Sequence, residues 1–201
     1  TPLDIWMPAG KYIRPATADQ ISAGYFRNFI DDTYKASIEA YYKNYIDLVD
    51  YKNNAQLLLN DGLETELLRG SGRAYGVELQ VEKKRGDWTG WLSYTLSRSE
   101  LKVPGINRDR YYSSNYDKTH DISLVLQYRM SEKWQFGGTW AYMSGRPVTY
   151  PDSRYVFEGI TIPNYTNRNG ARSPAYHRLD LSATLTPQRE SGKVFFFIHR
   201  P

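Results

Sequence analysis

The amino-acid sequence predicts an all-β chain: an antiparallel, up-and-down transmembrane β-barrel segment of about eight strands. Three observations predict it. Apolar and polar residues alternate with a period of two through seven segments. The connections between those segments are short and long in turn along the chain. Aromatic residues gather at both ends of the apolar faces. Such alternation gives each strand one greasy and one polar face, and a segment of this kind crosses a membrane without any hydropathy peak.

The first apolar face is Ile21, Ala23 and Tyr25, and the second is Tyr34, Ala36, Ile38, Ala40 and Tyr42. Tyr75, Val77, Leu79 and Val81 form the third; Trp88, Leu92, Tyr94 and Leu96 form the fourth. Ile122, Leu124, Leu126 and Tyr128 follow, then Trp134, Phe136, Trp140 and Tyr142, then Leu179, Leu181, Ala183 and Leu185. An eighth segment, residues 193–199, is apolar on both faces. The opposite faces carry Lys35, Glu39, Lys43, Glu78, Gln80, Glu82, Gln127, Gln135, Arg178 and Asp180, which are expected to face a lumen. The nearest approach to a helical stripe, residues 57–68, is broken by Asn60, Asp61 and Gly62.

Short connections are expected at 30–33, 83–87, 131–133 and 187–192, and long ones at 51–71, 99–118 and 144–176. A soluble sandwich has no reason to put every long loop at one end. Outer-membrane barrels do, with tight periplasmic turns and long extracellular loops. Trp88, Tyr94, Tyr128, Trp134, Trp140 and Tyr142 are expected to form the aromatic girdles, because rings with a polar tip favour the headgroup level.

Composition narrows the classes further. Mean hydropathy is −0.65, and the longest apolar run, residues 194–198, is five residues. A membrane-spanning helix needs about 20, so helical membrane proteins are excluded. The absence of cysteine excludes disulfide scaffolds and thiol chemistry. A net charge of +4 over 201 residues is too small and too scattered to imply nucleic acid. Residue 1 is Thr, with no signal-like segment after it, which reads as a processed or cut end. Residues 1–18 carry Pro2, Pro8 and Pro15 and read as loop.

Catalytic and metal chemistry find little support. Asp117, His120 and Asp121 form a D-x-x-H-D cluster, yet neighbouring strand residues point to opposite faces and cannot share one ion. They read as polar residues at a barrel rim. No G-x-S-x-G elbow occurs, and Gly70 and Gly72 around Ser71 read as relief of crowding at a strand start. No catalytic residue, metal site or cofactor is expected. The long loops carry Tyr111, Tyr112, Tyr116, Arg146, Tyr150, Arg168, Arg172 and Tyr176. Tyr and Arg are favoured in recognition surfaces, so these eight are the expected ligand-binding residues.

Several stretches also resemble one family. Residues 15–27 resemble the segment where TonB-dependent outer-membrane receptors re-enter the membrane. Gly72-Arg73-Ala74-Tyr75-Gly76-Val77-Glu78 resembles their G-x-A-x-G-x-E strand. Residues 91–97, 117–121, 145–151, and Arg168-Asn169-Gly170 with 176–182 resemble later barrel segments, especially of the Bacteroidetes branch. The resemblance implies a bacterial outer-membrane barrel of about 22 strands filled by an N-terminal plug. It implies a receptor that imports a scarce nutrient (siderophore, vitamin or oligosaccharide) with energy from the TonB complex. Its implied partners are outer-membrane lipid, the plug of the same full-length chain, the TonB complex acting through that plug, and a small-molecule or oligosaccharide ligand. Residues 1–201 would then be a partial barrel domain lacking plug and closing strand, about strands 14 to 21 of 22. The final residues, 195–201, depart from the family's usual ending. Two other readings fit the pattern: a complete eight-stranded structural or adhesion barrel, and a soluble carbohydrate-binding β-domain. The first needs a closed sheet and the second needs another sheet over the greasy faces.

Overall fold

The computed structural model describes residue 10, residues 13–57, 60–165 and 167–186, and the backbone of 194–200. Along the chain run β1 (Thr17–Phe29), β2 (Tyr34–Tyr51), β3 (Leu67–Lys83), β4 (Trp88–Lys102), β5 (Tyr112–Ser113), β6 (His120–Arg129) and β7 (Trp134–Met143). Then come β8 (Pro147–Val148), β9 (Ser153–Phe157), β10 (Ile160–Asn164), β11 (Ala171–Arg172), β12 (Tyr176–Leu185) and β13 (Val194–Arg200). Helical structure among the described residues is confined to two 3-10 turns, Leu63–Glu66 and Asn107–Asp109.

Eight strands form one antiparallel meander in the order β1-β2-β3-β4-β6-β7-β12-β13. The short β5 pairs with the outer end of β4, and the pairs β8–β11 and β9–β10 lie in the last long loop. Connections of residues 30–33, 84–87 and 130–133 lie at one end; 52–66, 103–119 and 144–175 lie at the other. The anticipated alternation of loop lengths therefore holds, and the short connection expected at 187–192 falls outside the described residues.

Two strands run further than their hydropathy patterns indicate. β2 has 18 residues and β3 has 17, whereas about 9–11 cross the hydrocarbon. Their outer ends stand beyond the membrane and shorten the first long loop. The alternation in β2 stops near Lys43 for a local reason: the pairing with β3 shifts between Tyr45 and Leu48, with Asp47 at φ 59°. This bulge places two residues opposite one and exchanges the faces of everything beyond it. Gly70 and Gly72 lie inside β3, slightly beyond the strand start expected for them. A Cβ on Gly70 would sit 2.4 Å from the Lys102 carbonyl oxygen, so the close approach of β4 requires glycine there.

The register sorts the side chains by face. Tyr25, Ile38, Leu79, Tyr94, Ile122 and Tyr142 are consecutive cross-strand partners, and so are Ala36, Val81, Leu92, Leu124, Trp140 and Leu179. The polar set, including Lys35 opposite Glu82, lies on the other face. The aromatic boundaries slant across this register. On β2 they are Tyr34 and Tyr42; on β7 they are Trp134 and Tyr142, and each pair encloses nine positions. Both boundaries slip by four residues between β2 and β7. Two parallel planes crossed by tilted strands produce this slip. Nine residues tilted by about 40° rise roughly 23 Å, matching an apolar band of about 25 Å. Trp88 stacks on Tyr128 at 4.4 Å, and Trp134 on Phe136 at 6.0 Å, along the short-turn side.

No protein layer covers the greasy face among the described residues: Ile21 is 72% exposed, Leu92 41% and Leu181 47%. The buried apolar residues are Ala74, Val103, Ile106 and Tyr112, and the last three cluster with Leu68 and Leu101 at the long-loop end. Among the described residues the fold therefore has a small core outside the band and none within it. A soluble sandwich would require a second sheet over Leu92 and Leu181. A closed eight-stranded barrel would require β1 to pair with β13, and these two lie at opposite ends of the sheet.

Arg placed at Leu124 or Leu181 should lower the stability of the membrane-inserted full-length protein by about 2–4 kcal/mol. The same change at Ser123 or Ser182, on the polar face, should be mild. Heat-modified gel mobility of outer-membrane fractions measures this, and equal effects at both pairs would reverse the face assignment.

Candidate functional site

The three long loops are joined by a polar staple at their outer end. Its centre is Arg168, in the turn between β10 and β11. The Arg168 guanidinium donates from Nη1 to the Tyr51 carbonyl at 2.6 Å and pairs with the Asp50 carboxylate at 2.9 Å. From Nη2 it donates to the Asn53 side chain at 3.0 Å and the Lys52 carbonyl at 3.2 Å. The fixed fork of donors suits several acceptors at once, which a lysine could not satisfy. Asn107 closes the second loop onto the same residue: its side chain accepts from the Arg168 N–H and donates to the Arg168 carbonyl, both at 2.8 Å. Tyr112 donates to Asp50 at 2.6 Å from within the apolar cluster.

The next residues continue the staple. Asn169 donates to the Ser113 carbonyl at 2.8 Å and to Asn115 at 2.7 Å, and its N–H donates to Thr149 at 3.0 Å. Arg172 donates to the Gly145 carbonyl at 2.9 Å and pairs with the carboxylate of Asp117. Asp117 is 1% exposed and also accepts from the Ser99 N–H at 2.7 Å. A buried carboxylate is tolerated only with such partners. The D-x-x-H-D residues thus separate: Asp117 goes to Arg172, His120 Nδ1 lies 2.9 Å from the Tyr94 hydroxyl, and Asp121 lies 3.5 Å from Lys118. Among the described residues no three His, Asp or Glu side chains converge as metal ligands.

The residues expected at a ligand surface divide into three groups. Arg168, Arg172 and Tyr112 have their polar groups engaged within the staple. Tyr116 is 84% exposed, and it rims a cavity of about 410 Å³ together with Asp50, Leu101, Asn115 and Arg168. Arg146, Tyr150 and Tyr176 are exposed at the loop end and on the first residue of β12. Tyr111 stands apart. Its ring packs on the Arg73 guanidinium at 4.0 Å, on the side of the sheet that carries the greasy residues. Sequence reasoning missed Asp50, Asn107, Asn169 and Asp117 as members of one network. Asn169 and Asp117 had as prior signal only their positions in the Arg168-Asn169-Gly170 and D-x-x-H-D stretches, and Asp50 and Asn107 had none.

An open antiparallel wall with one uncovered apolar face, tight turns at one end and stapled loops at the other defines a segment of an outer-membrane β-barrel. Residues 3–197 match the family model described as TonB dependent receptor-like, beta-barrel, and the chain belongs to that family. Solved structures show the same fold. The FrpB iron transporter from Neisseria meningitidis (F3-3 variant) is similar at 16% identity and TM-score 0.58, over 90% of this chain and 26% of that one. The ferripyoverdine receptor of the outer membrane of Pseudomonas aeruginosa is similar at 13% identity and TM-score 0.58, over 86% of this chain and 22% of that one. The chain thus spans about a quarter of the length of these structures. A search of the curated proteins found no match. The wall lies in the bacterial outer membrane.

Arg168→Ala should loosen the loops by about 2–3 kcal/mol while leaving the wall intact, as expected for loss of charge-assisted hydrogen bonds. Hydrogen exchange should then rise in residues 50–57 and 107–115 and stay unchanged in β6 and β7. Burial first, and then the bond to Asp50, hold the Tyr112 hydroxyl pKa above its ordinary value of about 10. Its folded pKa being raised, Tyr112 stabilises the loops fully below about pH 10, and that stability is lost as pH rises above it. Loop protection should fall in this alkaline window, and Tyr112→Phe should flatten the dependence.

Proposed function

We propose that this chain is the wall-and-loop portion of a receptor that captures a scarce nutrient and imports it with TonB-transduced energy. The observation that carries the reading is the union of three long loops by Arg168 and Arg172 above a polar sheet face. Exposed Tyr116, Tyr150, Tyr176 and Arg146 supply flat rings and a fork of donors for a small-molecule or oligosaccharide ligand. A siderophore fits this surface, and the two similar structures carry iron transporter and ferripyoverdine receptor in their names.

The polar face favours a plug domain of the same full-length chain. Glu39, Glu78 and Asp121 occupy one register row, with Thr95 between the last two. Like charges directly opposite one another are unfavourable, so the Glu39–Glu78 pair suits basic side chains reaching it from the lumen. Residues 1–201 would then contribute eight strands of a larger wall closed by strands from the rest of the chain. The role is recognition and transport, without catalysis by these residues.

The test uses the full-length receptor in its outer membrane. Uptake of ferric siderophores, cobalamin and oligosaccharides is compared before and after collapse of the inner-membrane proton gradient. Import of one of these should stop with the gradient, and Tyr116→Ala with Tyr150→Ala should weaken its binding about tenfold or more. Uptake that persists without the gradient would overturn the energised-transport reading, and unchanged binding would overturn the loop assignment. Glu39→Lys with Glu78→Lys should impair uptake while leaving ligand binding at the loops in place.

A further inference from the structure

Beyond the greasy band, the lipid-facing side of β3 and β4 changes character. Arg69 and Arg73 on β3, and Arg98, Glu100 and Lys102 on β4, continue the positions occupied lower down by Tyr75, Val77, Leu96 and Tyr94. Tyr42 and Tyr75, with ring centroids 6.4 Å apart, mark the upper edge of the band, and Tyr75 is paired with Arg98. The cations therefore stand at headgroup level on the membrane side.

Four cations face one carboxylate here. Glu100 accepts from Arg73 at 2.8 Å, which leaves an excess positive charge on Arg69, Arg98 and Lys102. The Tyr111 ring lies 4.0 Å from the Arg73 guanidinium and 5.8 Å from the Lys102 ammonium, holding both against the sheet. Just below, a groove of about 620 Å³ is lined by Tyr42, Tyr75, Val77, Leu96 and Arg98. Cationic donors above an apolar groove match an amphiphile with an anionic head and acyl chains.

We propose that this surface binds the phosphorylated headgroup of an outer-leaflet lipid, with an acyl chain along the Tyr42–Leu96 groove. The proposal rests on the outer-membrane placement and is independent of the nutrient transported. A free phosphate would meet the cations alone and gain nothing from the groove.

The full-length receptor, purified in detergent, is titrated with lipid A bearing both phosphates, with the same lipid after removal of both, and with inorganic phosphate, and read by native mass spectrometry and melting temperature. The bisphosphorylated lipid should bind and raise the melting temperature, and the other two should not. Arg98→Gln with Lys102→Gln should weaken lipid binding about thirtyfold, at about one kcal/mol per interfacial charge. Arg98→Lys with Lys102→Arg should retain it, and Lys83→Gln with Lys84→Gln at the opposite rim should leave it unchanged. Equal binding of the dephosphorylated lipid, equal binding of inorganic phosphate, or parallel loss in the charge-preserving variant would each overturn the proposal.

Discussion

Inside hydrocarbon a backbone N–H or C=O without a partner costs several kcal/mol, and no water is present to supply one. That constraint accounts for the main features of the wall. Each internal strand of the meander is bonded on both sides, and sequential neighbours need only tight turns where the chain comes back on the short-turn side. With the backbone satisfied by pairing, the side chains need no interior. The sheet can leave Ile21 and Leu181 uncovered because lipid covers them instead. The open edges of β1 and β13 obey the same rule: in hydrocarbon each requires a partner strand.

At the long-loop end the requirement changes. Water is available there, and long chains must be ordered against their conformational entropy. The molecule uses two devices: a small buried cluster of Val103, Ile106 and Tyr112, and a charged staple through Arg168 and Arg172. The two meet at Tyr112, whose ring belongs to the cluster and whose hydroxyl belongs to the staple. Coupling an apolar and a charged contact through one side chain favours ordering all three loops together.

The strand faces were legible in the sequence because period-two patterning survives wherever one side meets lipid and the other meets water. Tyr34 through Tyr42 and Trp134 through Tyr142 show it clearly. The alternation of loop lengths was legible for the same reason, since the strands mark where the loops begin. The outer ends of β2 and β3 were not, because beyond the band both faces are wet and the pattern fades. Arg168 and Arg172 stood out as residue types, but their partners lie 27 to 118 residues away in the chain, and no local spacing connects Arg168 with Asp50. Tyr111 illustrates the converse. Its neighbour Tyr112 turns into the cluster, and so Tyr111 turns out toward the membrane side.

The bulge between Tyr45 and Leu48 links the two environments. Below it, odd-numbered residues of β2 face the polar side; above it, even-numbered ones do. Asp50 shares a face with Leu68 and reaches Arg168 only because of that exchange. Were the same residues paired throughout in the register of Tyr45 with Gly72, the nine positions in the membrane would be unchanged. Asp50 would then fall on the lipid-facing side, among the headgroups. The extra residue thus works as a phase shifter, letting one continuous strand satisfy a lipid-facing code below and a loop-binding code above.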